Sequence, residues 1–243
     1  MVSGLISAQN DELFAKGNSL YNDGDYQEAI LSYGEILKNG VHSSELYFNL
    51  ANAYYKTNRV APSIYYYEKA LQLAPNDKEI KQNLSFAKQM ILDDIESVPE
   101  IGLSKIFKAV VNLFTFDFWA KLAVFMVLLF VVLSLGYYFS YSTTKKRLSF
   151  LGGVLALALV FVTLFFAFQK YEYEQNNNPA IVFAEESDVK TEPNLRSEIT
   201  FTLHEGTKVQ ALERYDENWT KIKLSDGKTG WISSEDIKLL NKF

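Results

Sequence analysis

Two long apolar stretches constrain the fold of this 243-residue chain more than any other feature. Residues 122–139 and residues 148–168 form runs of 18 and 21 residues, and neither run contains a charged side chain. Helices of these lengths extend roughly 27 and 32 Å, close to the bilayer's hydrocarbon thickness of about 30 Å. We therefore predict a transmembrane α-helical hairpin within residues 119–168. The alternative, a buried helical pair in a soluble protein, is disfavoured because neither stretch has a polar face.

The loop between the two stretches, residues 140–147, is predicted to be cytoplasmic. It carries Lys145, Lys146 and Arg147 and no acidic residue, and short cationic loops favour the cytoplasmic side. The chain would then be integral to a bacterial inner membrane, with both soluble parts in the periplasm. The reverse orientation stays open, because lysines also precede the first stretch.

Charge and composition exclude several classes of function. The net charge is −6 over residues 1–100, +5 over residues 101–168 and −4 over residues 169–243, so a nucleic-acid partner is not expected. The chain has no cysteine, and its two imidazoles, His42 and His204, are expected to be isolated surface residues. No motif for a nucleophile with its base, for metal ligation or for phosphate binding occurs. We predict a protein that is not an enzyme and uses no cofactor or metal.

Residues 1–10 look like the end of a signal peptide, with a few apolar residues and then the small pair Ser7-Ala8. We expect that the natural start lies upstream and that cleavage follows Ala8. Such a leader would account for an exported N-terminal part.

From Asp11 the sequence repeats itself with a period of 34 residues, and each copy reads as two amphipathic helices about a turn. The matched pairs are Leu13 with Tyr47, Gly17 with Ala51, Leu20 with Tyr54, Ala29 with Ser63, Tyr33 with Tyr67, and Ile36 with Ala70. This pattern resembles a pair of tetratricopeptide repeats, although the first copy has Val41 where the second has Pro75. Residues 78–96 are predicted to continue as one capping helix, which completes a domain over residues 11–96.

Resemblance to this family implies that the groove of the repeats binds a protein segment. Members that grip a C-terminal carboxylate use cations at positions that hold Phe14, Glu79 and Asn83 here, which favours a more apolar or aromatic ligand. Asparagines nevertheless recur at matching helix positions, at Asn18, Asn49 and Asn83. The candidate groove residues are Phe14, Asn18, Tyr21, Phe48, Asn49, Asn52 and Tyr55. Solvated or core-edge roles are the alternative for each of them.

Residues 97–118 are predicted to contain an amphipathic helix in the lipid interface. Apolar residues such as Ile106, Phe107 and Val110 share one helical face, while Lys105 and Lys108 lie opposite, just before the first span. One further repeat-like helix is the alternative.

After a polar linker at residues 169–179, residues 180–240 change to short β-rich runs separated by turn signals. Five strands are predicted, at residues 181–184, 199–203, 208–215, 219–224 and 229–232. The hairpin Asp226-Gly227 to Gly230-Trp231 and the tryptophan that opens the preceding strand resemble a bacterial SH3-type domain. Its candidate ligand residues are Tyr215, Trp219 and Trp231, with one tryptophan expected in the core and the other on the groove. Peptidoglycan and protein both stay open as ligands.

The predicted fold class is therefore multidomain: an all-α tetratricopeptide solenoid, a transmembrane hairpin and a small all-β SH3-like barrel. This order of modules resembles the BatE proteins of the bacterial aerotolerance operon. The resemblance implies an envelope scaffold that works with von Willebrand factor A proteins and a MoxR-type ATPase. We predict a membrane-anchored adaptor for protein–protein interactions, and the alternative is a peptidoglycan-binding, wall-sensing module that recruits an enzyme.

Overall fold

The 34-residue period corresponds to two helical hairpins in the structure. A computed structural model describes residues 2–96 and 102–240. The chain divides into two compact units, one of Met1–Val98 with Asn178–Phe243 and one of Pro99–Asn177. In the first unit, the repeats and the following helix are α1 (Val2–Asp23), α2 (Tyr26–Lys38), α3 (Ser44–Lys56), α4 (Val60–Leu73) and α5 (Lys78–Lys88).

The turn inside each repeat uses the same backbone conformation at matched positions. Gly24 has φ 89° between α1 and α2, and Asn58, which lies 34 residues later, has φ 57° between α3 and α4. Glycine adopts this left-handed region freely, and asparagine tolerates it better than most side chains. The period therefore extends to the turn geometry. Pro62 is the third residue of α4, and the first turn of a helix tolerates proline because the N–H groups there have no partner within the helix.

The structure defines both ends of the repeat region more closely than the sequence does. Residues 2–10 are helical and continuous with the first repeat, and the buried Asn10 accepts a hydrogen bond from the amide of Asn39 at 2.8 Å. The predicted capping helix over residues 78–96 is too long, because α5 ends at Lys88. The apolar spacing continues beyond it, but Ile91 packs on the second repeat while Ile95 packs on the barrel core. This division between two partners requires a non-helical path.

The second unit contains an amphipathic helix and a helical hairpin. Its helices are α6 (Leu103–Val111), α7 (Phe116–Phe139) and α8 (Thr143–Asn176), and residues 97–101 of the predicted interfacial segment lie outside the described residues. Two of these helices, α7 and α8, are long and apolar enough to cross a membrane. Most of the apolar face of α6 is exposed, and Trp119 Nε1 donates to the carbonyl of Val111 at 3.2 Å.

The boundaries of α8 differ from the predicted linker and loop. The helix continues to Asn176 through most of the predicted linker at 169–179, where Lys170 and Glu174 form an ion pair of 3.5 Å at helical spacing. At its other end, Lys145, Lys146 and Arg147 belong to the start of α8, so the connection between the spans is shorter than residues 140–147.

The barrel is one antiparallel sheet of seven strands in the order β3-β2-β6-β5-β4-β1-β7. The strands are β1 (Asn178–Val182), β2 (Glu186–Lys190), β3 (Ile199–His204), β4 (Lys208–Arg214), β5 (Trp219–Lys223), β6 (Thr229–Ser233) and β7 (Ile237–Leu239). The predicted five strands omit β2 and β7, because β2 is mostly polar and β7 has only three residues. Val189, Ile222 and Ile232 are fully buried in the barrel core.

Candidate binding surfaces

The first repeat builds a hydrogen-bonded triad on its groove. Asn18 Oδ1 accepts from the Tyr33 hydroxyl at 2.7 Å and from Asn49 Nδ2 at 3.0 Å. The three side chains come from α1, α2 and α3, so the triad joins consecutive helices. Burial raises the pKa of Tyr33 to about 12, with the nearby Tyr21 adding to the rise, so its hydroxyl remains a donor at neutral pH.

The second repeat builds the same triad 34 residues later. Asn52 Oδ1 accepts from the Tyr67 hydroxyl and from Asn83 Nδ2, the latter at 3.0 Å. Burial again raises the pKa of the tyrosine, here Tyr67. We call these two triads together the asparagine ladder, whose members are Asn18, Tyr33 and Asn49 in the first half and Asn52, Tyr67 and Asn83 in the second.

Two neighbouring cavities open along the ladder. The first has a volume of about 290 Å³ and the second of about 400 Å³. Tyr21 and Asn52 line both cavities, so the two are direct neighbours, and we call them together the groove. Lys56 and Glu79 place one charge of each sign at the second cavity. The other lining residues are Asn18, Asn22, Tyr33 and Asn49 in the first cavity, and Tyr55, Tyr67, Asn83 and Phe86 in the second.

Five of the seven candidate groove residues line these cavities, namely Asn18, Tyr21, Asn49, Asn52 and Tyr55. Phe14 and Phe48 lie beside the ladder instead, with their rings 5.9 Å and 6.0 Å from those of Tyr33 and Tyr67. Tyr33 and Tyr67 are ladder members that were matched across the repeat but not included among the candidate groove residues. Their identity at a spacing of 34 is the signal that could have marked them.

The barrel carries an aromatic and cationic surface on the outer side of β5 and β6. Lys221 lies opposite Trp231 in the strand register, and its Nζ lies 5.5 Å from the centre of the indole. The Tyr215 ring meets Trp231 edge-on at 6.0 Å. Strand alternation places Trp219 on this same side, because Ile222 of the same strand faces the core. We call Tyr215, Trp219, Lys221 and Trp231 the outer aromatic face.

Trp231 is buried and Trp219 is partly exposed, in line with the expectation of one tryptophan inside and one on the groove, but Trp231 packs outside the main barrel cluster. Trp231 is only 8% exposed, yet it is covered on the outer side by Tyr215 and Lys221, whereas the core contains Ile232 from the same strand. Tyr215, at 67% exposed, is the most accessible part of this surface.

Neither histidine is an isolated surface residue, contrary to the expectation. His42 stacks on Tyr47, with its Nδ1 2.7 Å from the tyrosine hydroxyl oxygen. His204 Nδ1 lies 2.7 Å from Asp93 Oδ1. Among residues 2–96 and 102–240, no group of three or more metal-ligating side chains that could hold an ion is found.

These two surfaces lie on separate domains of the chain, and comparisons with known proteins identify both domains. Residues 14–78 match the tetratricopeptide repeat family, and residues 186–238 match the bacterial SH3 domain family. The chain thus contains a tetratricopeptide repeat domain and a bacterial SH3 domain, as predicted. It is also 35% identical over 57 residues to the cell wall-binding protein YwsB of Bacillus subtilis (strain 168). That match covers 24% of this chain and 32% of the relative, about a third of its length.

Proposed function

We propose that the protein is a membrane-anchored adaptor of the bacterial cell envelope that binds a protein segment in the groove of its repeats. The asparagine ladder is the observation that carries this proposal. In each half, one asparagine carbonyl accepts two hydrogen bonds, which fixes the orientation of the side chain. The amide groups of Asn18 and Asn52 then offer donors at matched points along the groove, and an extended peptide backbone supplies acceptors.

The lining of the groove indicates the character of the bound segment. Tyr21, Tyr55 and Phe86 supply aromatic surface, which suits apolar or aromatic side chains of the ligand. Lys56 and Glu79 nearly balance one another, so the groove favours a segment without strong net charge. This agrees with Phe14, Glu79 and Asn83 at the positions where carboxylate-binding members of the repeat family have cations.

A photo-crosslinking residue in place of Tyr55 tests the groove, with the same residue in place of Leu31 as the control. Leu31 lies on α2 and is well exposed, but it lines neither cavity. We expect cells to yield crosslinked peptides from the Tyr55 position that disappear when Asn52→Leu is added. An identical product pattern from the two positions would contradict groove binding.

The barrel supports a second function, the binding of cell-wall peptidoglycan. Aromatic rings beside a lysine are suited to the mixed apolar and polar surface of wall glycopeptide, and a relative of this chain is named as a cell wall-binding protein. We expect purified peptidoglycan to sediment the full chain from detergent. Tyr215→Ala should reduce this retention, while Leu212→Ala, an exposed change also on the barrel, should not. No retention of the unaltered chain would leave the barrel as a protein-binding module.

We place both modules outside the cytoplasm, anchored by the two spans. The cations at the start of α8 support a cytoplasmic connection, and the repeats and barrel belong to one compact unit and so share one side of the membrane. A reporter fused after Phe243, active only outside the cytoplasm, tests this assignment. Activity there would direct the partner search to exported von Willebrand factor A proteins and a MoxR-type ATPase complex in aerotolerance. An intact but silent fusion would reverse the topology.

A further inference from the structure

The turn between β3 and β4 of the barrel lies against the second repeat. We call residues His204, Glu205, Gly206 and Thr207 the latch turn. Gly206 has φ +86° and is buried, and a Cβ added to it would lie 2.9 Å from Val60 Cγ1 and 2.9 Å from Ile64 Cδ1. Both contacted residues belong to α4. The close approach therefore requires glycine at this position.

Asp93 anchors the latch turn by three polar contacts. Its carboxylate accepts from the backbone N–H of His204 at 2.8 Å and from the Thr207 hydroxyl at 2.6 Å, and it faces His204 Nδ1 at 2.7 Å. Asp93 lies in the segment after α5 that was predicted to be helical. The non-helical path of this segment therefore serves the contact with the barrel.

The latch turn also completes the start of α4. The N-cap residue of that helix is Arg59, which supplies no side-chain acceptor, and Glu205 Oε2 instead accepts from the backbone N–H of Ala61 at 3.3 Å. A carboxylate at a helix N-terminus satisfies a free donor and complements the helix dipole. Here that carboxylate comes from 144 residues further along the chain.

A second set of contacts holds the other end of α4. Gln72 Nε2 donates to the carbonyl of Leu240 at 2.8 Å, and Lys238 Nζ lies 4.5 Å from the centre of the Tyr65 ring. Ile181 and Leu240 of the barrel region join the same apolar cluster as Ile64. Barrel residues thus support α4 along most of its length.

We propose that Glu205, Gly206 and Asp93 are positioning residues for the groove, because the latch turn holds α4 and α4 carries the tyrosine of the second half of the ladder. Ile64 meets the latch turn, and Tyr67, one helical turn later, reaches Asn52. Release of the turn loosens α4, which weakens the hold on Asn52 and widens the second cavity. The first half of the ladder, built on Tyr33 of α2, keeps its order. This inference rests on the proposed groove function, but its test needs no groove ligand.

Hydrogen exchange of the full chain in lipid nanodiscs tests the proposal, with Gly206→Val as the variant and Gly227→Val as the matched control. Gly227 also has positive φ, at +94°, but nothing lies within 4 Å of an added Cβ. We expect Gly206→Val to speed exchange in α4 about tenfold or more while α2 and β5 keep their protection. Unchanged exchange in α4 would overturn the proposal.

A distance measurement separates positioning from a general loss of stability. The chain has no cysteine, so spin labels can be attached at cysteines replacing Tyr55 and Phe86 on the two walls of the second cavity. We expect Gly206→Val, and not Gly227→Val, to broaden the distance distribution of the folded chain. If Gly206→Val also unfolds the barrel, the near-isosteric Asp93→Asn decides. An unchanged distribution in Asp93→Asn would then refute the positioning role.

Discussion

The two repeats have nearly the same internal geometry but different surroundings. The Phe14 and Tyr33 rings lie 5.9 Å apart at 53°, and the Phe48 and Tyr67 rings lie 6.0 Å apart at 55°. The outer sides of the second helices differ, however. Leu31 on α2 is 64% exposed, whereas Tyr65, at the matched position on α4, is 7% exposed because the barrel lies against it. Repetition of sequence thus reproduces the groove, and the barrel makes the two halves unequal.

The largest expected difference between the repeats concerns the matched pair Ile30 and Ile64. Ile64→Ala should lower the free energy of unfolding by about 4 kcal/mol and Ile30→Ala by about 2 kcal/mol, within the usual range for such truncations. The reason is that Ile64 is fully buried between the second repeat and the latch turn, so its cavity cannot collapse. Hydrogen exchange of α4 and α2 in the full chain would measure both effects. Equal losses would show that the barrel adds nothing to the packing of α4.

Removal of the ladder hydroxyls should have equal effects in the two repeats. Tyr33→Phe and Tyr67→Phe each remove one donor from an asparagine carbonyl that keeps its second partner, at an expected cost of about 1 kcal/mol. Thermal unfolding of each variant in detergent, compared with the parent chain, would measure the cost. A clearly larger loss for Tyr67→Phe would mean that the barrel's support of α4 depends on the ladder.

Exchange in α4 should depend on pH, because Asp93 and His204 meet at the latch turn that lies against this helix. The hydrogen bond to Asp93, with the charges of Asp93 and Glu186, raises the pKa of His204 above its ordinary value. Burial acts to raise the pKa of Asp93, but hydrogen bonds from His204 and Thr207 outweigh it and leave that pKa lowered.

The sign of the effect follows from these two directions. The contribution of His204 to the stability of the fold is fully present below its unfolded-state pKa of about 6.5. It is lost as pH rises through the raised pKa of the folded state. The Asp93 contribution is present above its ordinary pKa and is lost as pH falls through the lowered value. Exchange in α4, corrected for intrinsic rates, should therefore be slowest in weakly acidic solution and faster above neutrality. His204→Gln should abolish the rise above neutrality, and an equal rise in α2 would contradict this assignment.

The smallest expected effect comes from the ion pairs of Glu68. Its carboxylate meets Lys208 of the barrel at 2.7 Å and Lys88 at 3.1 Å, and Gly34 occupies the matched position in the first repeat. Both lysine side chains are about two-fifths exposed, so Lys208→Ala should cost only about 0.5 kcal/mol. The loss should shrink further at high salt. A salt-independent loss would indicate that the lysine stem, rather than its charge, supports the contact.

Local and periodic features of the fold were predictable from the sequence. The apolar runs defined α7 and α8, and the 34-residue period defined the paired helices, because burial at regular spacing is written into neighbouring residues. Five strands were predicted from alternating apolar residues and from turn residues. The polar β2 was not predicted, because its formation depends on pairing with β3 and β6. Most candidate groove residues were found through the same repetition. Tyr33 and Tyr67 were not among the candidate groove residues, because each side chain is buried in the core and also takes part in the ladder.

Only the tertiary structure decided how the barrel and the repeats combine. The contacts of Asp93 with His204 and of Glu205 with Ala61 join residues more than 100 positions apart, on either side of the α7–α8 hairpin in the sequence. No local sequence pattern predicts such a pair, because an Asp or Glu that is exposed cannot be told by sequence from one that accepts hydrogen bonds from a distant segment. The sequence by itself determined the repeat domain, the SH3-type domain and two helices that are long and apolar enough to cross a membrane. Packing across α4 decided that the two modules form one body, since that depends on which exposed faces meet.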